Sequence, residues 1–261
     1  MTQLIFYSSP WLLPVTLIVA LALLIEAPYR FAQSLMESTH GKDDAWNVVQ
    51  ASLLTLATFM LGLSFAQASA RFELRRALVM QEANAIRTTW LRADQLVSAS
   101  AREFRRVLTA YTADRLAVYR VSGNAAFYEV SLKESDEEQA QLWSIASSDL
   151  RARPTSLGAS LLLQALNDTA NASAEQLQSL TSHVPTVIVL LTLALVMLGA
   201  LSMGGRFARD RSRPIVLSAL YVIASAVAVS MVVDYDRPRT GFVTVSLAPL
   251  ERQLEAMRSA R

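Results

Sequence analysis

VVQASLLTLATFMLGLSFA, residues 48–66, is the stretch on which the fold turns. It is apolar or hydroxyl-bearing almost throughout. A helix rising about 1.5 Å per residue needs roughly 20 such residues to cross a hydrocarbon core about 30 Å thick. In lipid every backbone N–H and C=O must be satisfied within its own segment, so a lone crossing stretch is a helix and not a strand. Three further stretches, 11–27, 184–203 and 214–233, have the same character. Glu26 and Gln67 sit at or just beyond helix ends, and no span carries a charge near its middle. The reading is all-α: an integral membrane protein with four transmembrane helices. It is expected to be multi-pass in a cell membrane, the inner membrane if the source is Gram-negative, with the lipid bilayer as its first partner.

Working outward, the chain divides into a first transmembrane hairpin (1–70), a helical extramembrane insert between spans two and three (71–183), a second hairpin (184–233), and a charged turn with a short tail helix (234–261). The N-terminus lacks a basic n-region and a small-residue cleavage site, so the first apolar run is expected to be a retained helix. Between Arg71 and Arg120 there is neither proline nor glycine. The second span is therefore expected to continue as one helix for several turns, with Val121-Ser122-Gly123-Asn124 ending it. Ser135-Asp136-Glu137-Glu138 has the form of a capping box and predicts a helix start there, running to about Arg151. Arg153-Pro154 breaks that helix, and residues 157–182 supply another. In the tail, Leu247, Leu250, Leu254 and Met257 recur at helical spacing, which suits either packing on the insert or lying on the membrane surface.

Composition removes several function classes. The net charge of the 261-residue chain is only +2, which gives no footprint for nucleic acid. It has no cysteine and two histidines, His40 and His183, far apart in sequence, so no metal or cofactor is expected. No nucleophile elbow, phosphate-cradling glycine loop or metal-ligand spacing occurs, and an enzyme is not expected. Lys and Arg near the span ends balance: Arg30, Lys42, Arg206, Arg209, Arg211 and Arg213 lie on one side, and Arg71, Arg75, Arg76, Arg237 and Arg239 on the other. The positive-inside rule therefore leaves both orientations open. An even number of spans still puts both termini and the insert on one side.

On the second span, Ser52, Thr55, Phe59, Gly62, Ala66 and Ser69 recur at alternating spacings of three and four and share a face. Such a face suits close helix packing, since small residues let membrane helices approach and hydroxyls bond across. It equally suits a pore lining in which hydroxyls touch water and Phe59 forms an apolar constriction. Just beyond lie Arg71, Arg75 and Arg76, a basic collar that would attract inorganic anions to a mouth.

Two motifs carry a resemblance. The first is Arg75-Arg76-Ala77-Leu78-Val79, then Glu82-Ala83-Asn84-Ala85-Ile86, then Leu91-Arg92-Ala93-Asp94. The second is Asp234-Tyr235-Asp236-Arg237-Pro238 with Gly241. Together they resemble the signature of a mainly bacterial, bestrophin-like family of four-span membrane proteins whose members have no agreed activity. The resemblance covers nearly the whole chain. Arg239 stands where the pattern has an apolar or aromatic residue, and Phe59 and Phe65 are isolated where bestrophin pores carry consecutive aromatics. Bestrophins are pentameric chloride channels whose second helix lines the pore. The resemblance thus implies a homo-oligomer, a pore along residues 52–69 and a cytoplasmic insert. It also marks Glu82, Asn84, Arg92, Asp234 and Asp236 as structural contacts.

Two functions follow as expectations. One is an oligomeric, anion-conducting channel lined by the second span. The other is a membrane-anchored interaction protein whose helical insert binds a partner.

Overall fold

The computed structural model describes residues 11–35, 43–120, 125–237 and 241–260. Among these residues the chain is helical and forms no strand: α1 (Leu12–Leu35), α2 (Asp43–Arg92), α3 (Ser98–Arg120), α4 (Ala125–Ala152), α5 (Leu157–Thr181), α6 (Thr186–Arg209), α7 (Ile215–Asp236) and α8 (Ala248–Ser259). Four helical stretches are long and apolar enough to cross a membrane: Leu12–Phe31, Trp46–Gln95, Leu157–Arg209 and Ile215–Asp236. The chain is a membrane protein. It divides into two compact units, one of Met1–Arg71 with His183–Val243 and one of Phe72–Ser182 with Thr244–Arg261.

In the first unit α1 packs against α6 and α7. Its core gathers Leu21 and Ile25 of α1, Ala57 of α2, Leu195, Val196 and Ala200 of α6, and Val222 and Val229 of α7. Lipid tails are as apolar as leucine, so these helices gain little from burial as such and rely on close fit. The fit is closest at Gly204, where a Cβ would stand 2.2 Å from the Ile25 carbonyl oxygen. Only a glycine lets the two backbones meet there. Polar groups add cross-links: the Ser64 and Thr192 hydroxyls lie 2.9 Å apart in the interior, and the Tyr221 hydroxyl donates to the Val196 carbonyl at 2.8 Å.

The second unit has a conventional apolar core. Phe104, Leu108 and Tyr111 of α3, Leu142 and Ala146 of α4, and Leu162 and Leu166 of α5 are all buried there, with Val79 and Ile86 of α2. Leu250, Leu254 and Met257 of the tail helix α8 join the same core. Of the two placements open to the tail, packing on the insert is the one found.

Two expected boundaries are corrected. The helix foreseen from Arg71 to Arg120 stops at Arg92, turns through a short 3-10 segment at Ala93–Gln95, and resumes at Ser98. Tertiary contacts hold that turn: Ala93 and Leu96 are buried, the Val97 N–H donates to Asp149 at 3.4 Å, and Arg153 donates to the Gln95 carbonyl at 2.9 Å. Ser135 does not open a helix either. It is buried within α4, which begins ten residues earlier at Ala125, because packing overrides a local capping signal. The turn expected at Val121-Ser122-Gly123-Asn124 lies outside the described residues. Beyond Arg153-Pro154, Ser156 caps α5 by accepting from the Ala159 N–H at 3.2 Å.

Candidate functional site

The stripe on α2 is exposed. Ser52, Thr55, Phe59, Gly62 and Ala66 are exposed and Ser69 is half-buried, with Phe59 at 63%. Around Gly62 nothing lies within 4 Å of where a Cβ would be. The opposite face of the same helix does the packing, with Ala57, Ser64 and Ala68 buried and Leu53 and Leu61 partly so. The Ser52 and Thr55 hydroxyls donate to the carbonyls of Val48 and Ala51 at 2.7 and 2.8 Å. With their protons turned back into the helix, these oxygens present lone pairs outward.

The outward faces of the other three spans are more uniformly apolar. They carry large aliphatics: Val15, Val19 and Leu23 on α1, Val187, Leu190 and Leu198 on α6, and Ile215, Leu220 and Ile223 on α7. Those faces suit hydrocarbon. The α2 stripe, although flanked by Leu56 and Leu63, offers hydroxyls and small residues to whatever faces it.

The three arginines proposed as a collar are placed differently. Arg75 is buried and donates to the carbonyls of Ser179 at 3.2 Å and Ser182 at 2.7 Å, at the C-terminal end of α5. A cation there offsets the negative end of the helix dipole. Arg76 is exposed and stands 3.6 Å from Glu73, and Arg71 is half-buried.

Glu82 is fully buried against Arg115, at 2.7 Å between Oε1 and Nε. The Tyr119 hydroxyl donates to the other carboxylate oxygen at 2.5 Å, and Arg115 also donates to Tyr119 and to the Ser173 carbonyl. Burial, and then the Glu82 charge, hold the Tyr119 phenol well above its ordinary value, so it remains a donor. Asn84 is exposed, and Arg92 donates to the Leu161 carbonyl at 2.7 Å. The partner Arg115 had no motif to announce it. The only local signal was its spacing of four from Tyr119, which puts both on one face of α3.

Asp234 and Asp236 are buried in the last turn of α7 and bind backbone amides. Asp234 accepts from Phe242 at 3.0 Å and Val243 at 2.9 Å, while Asp236 accepts from Val184 at 3.0 Å and stands 3.4 Å from His183. Gly241 has φ +150°, and a Cβ on it would meet an Asp234 oxygen at 2.3 Å, so the chain can fold over that carboxylate only with glycine there. Among the described residues no group of three or more His, Cys, Asp or Glu side chains could hold a metal ion.

A family model, the bestrophin-like domain, matches residues 16–250. The chain belongs to the bestrophin-like family. Solved structures share its fold. A bacterial bestrophin homolog from Klebsiella pneumoniae is 15% identical with a TM-score of 0.66, over 94% of this chain and 97% of that one. Two single-substitution variants of that homolog are 14% identical, with TM-scores of 0.68 and 0.69. They cover 96% and 94% of this chain, and 97% and 96% of their own. No curated protein matches in sequence.

Proposed function

We propose that this member of the bestrophin-like family is a multi-pass channel of a cell membrane, formed as a ring of identical subunits with α2 lining an ion path. One observation carries the reading: among exposed Val48, Leu56, Leu63 and Phe65, the outward side of α2 carries a stripe of Ser52, Thr55, Gly62 and Ala66, where the other spans turn mainly Val, Leu and Ile outward. Hydroxyls are of no use against lipid but suit water or a neighbouring helix. The four spans of one subunit pack on one another through small and apolar side chains, so a water-filled path belongs between subunits. Phe59 is the one aromatic on the stripe and would form its apolar constriction. Arg71 and Arg76 would favour anions at one mouth, with Glu73 opposing them and Arg75 engaged elsewhere.

Mass measurement in mild detergent should give a closed homo-oligomer. In reconstituted bilayers Phe59→Ala should raise ion flux, because removing the ring wets the constriction. Val187→Ala, on an aliphatic outward face, should leave flux unchanged. Arg71→Gln with Arg76→Gln should move the reversal potential away from anion preference. A monomer across several detergents, or no current from either wild type or Phe59→Ala, would overturn the channel reading and favour a membrane-anchored interaction protein.

A further inference from the structure

One end of the first unit carries a small cavity that the stripe on α2 does not involve. Its volume is about 140 Å³, and Trp46, Asn47, Arg206, Arg209 and Asp210 line it. Trp46 and Asn47 stand near the start of α2. Arg206 and Arg209 lie in the last turn of α6, and Asp210 is the residue that ends it. The arginines are held in place. Arg206 reaches Asp210 at 3.3 Å and also donates to Asn47, while the Arg209 guanidinium lies 5.9 Å from the centre of the Trp46 ring. Gly205 makes room for that ring: a Cβ there would stand 3.1 Å from its edge.

The cavity is rich in donors. The Trp46 indole N–H is buried and has no acceptor. Two guanidinium groups line the same space, and the segment from Gly204 to Arg213 holds four arginines against the single Asp210. The complement to two guanidiniums and an indole N–H is a compact anion with several oxygens. Phosphate meets that need, since a guanidinium fork binds it through paired, charge-assisted bonds. The position names the source. Trp46 opens one candidate span and Arg209 closes another, so the cavity sits where hydrocarbon gives way to water, the level at which tryptophan is favoured and phospholipid phosphates lie. Immediately inward, Val48, Val49 and Leu201 are exposed and can border an acyl chain.

We propose that Trp46, Asn47, Arg206 and Arg209 form a site for the phosphate of an anionic phospholipid headgroup, with Asp210 opposing the charge and limiting affinity. The site is independent of whether the protein conducts. The test uses the full-length protein in detergent, titrated with short-chain phosphatidylglycerol and read by thermal stability. Phosphatidylglycerol should stabilise the wild type, and inorganic phosphate at the same concentration should not. Arg209→Gln should weaken the apparent Kd by about tenfold, the loss of one charge-assisted contact. Trp46→Phe, which keeps the ring and removes the N–H, should weaken it by a few-fold. Asp210→Asn, which removes the opposing charge at an exposed position, should tighten it. Affinities equal to wild type in all three variants would overturn the site. Stabilisation by inorganic phosphate equal to that by the lipid would overturn the lipid as its occupant.

Discussion

At the scale of single residues, the buried Glu82–Arg115 pair with Tyr119 is the most consequential feature of the insert. Both charges are withdrawn from water, so removing one leaves the other unpaired in a low-dielectric core, at a cost of about 3–5 kcal/mol. Arg115→Ala and Glu82→Ala should each lower the melting temperature by roughly 10 °C. A triple variant with Glu82→Leu, Arg115→Met and Tyr119→Phe should recover most of the loss, because an apolar set of similar volume leaves nothing unsatisfied. Thermal melts of the four proteins decide it. Glu138 supplies a pH dependence: burial, then the neighbouring Asp114 charge, raises its carboxyl from 4.5 to about 8. Between those two values the folded protein holds a proton that the unfolded chain has released, so stability falls as pH climbs from about 4.5 to about 8 and levels off above. Melts across that range should show the decline, and Glu138→Gln should flatten it.

Elements show where sequence reasoning stops. The four spans were legible because hydropathy over some 20 residues is a property of the segment alone. The carboxylates at the end of α7 stood in the sequence only as part of a motif; their acceptor role belongs to the fold, since the amides they bind lie at Phe242, Val243 and Val184. The break between α2 and α3 was not legible. Nothing local forbids a helix through Ala93–Gln95, and the turn is held by Asp149 and Arg153, which arrive from more than fifty residues away. Arg115 was missed for the same reason: a motif can mark Glu82 without marking what pairs with it 33 residues on. Sequence position alone puts Arg75 in the basic collar, because the carbonyls that engage it belong to the end of α5, more than a hundred residues on. At this scale Gly204 makes the sharpest forecast. A methyl group there meets the backbone of α1 rather than a side chain that could move aside, so Gly204→Ala should cost about 1–3 kcal/mol or more. Gly62→Ala, with open space around it, should be tolerated within one subunit. Melting of the purified variants separates the two.

Over the whole molecule, neither compact unit is a continuous piece of chain. The first joins Met1–Arg71 to His183–Val243, and the second joins Phe72–Ser182 to Thr244–Arg261. The tail helix is part of the insert's core, with Leu250 and Met257 fully buried. Deleting residues 247–261 should leave a cavity lined by α3, and faster proteolysis of the insert would report it. This interleaving also imposes an order on synthesis. α1 has its packing partners only once α6 and α7 have left the ribosome, about 150 residues later, a wait of roughly ten to thirty seconds at ordinary elongation rates. For that interval the first hairpin sits in the bilayer with Leu21 and Ile25 facing lipid and the bare Gly204 surface not yet made. The insert in turn stays open until the last dozen residues arrive. A chain stopped early by a nonsense codon or a stalled ribosome would therefore leave both units unfinished together, a form that cellular proteases can tell from the complete protein.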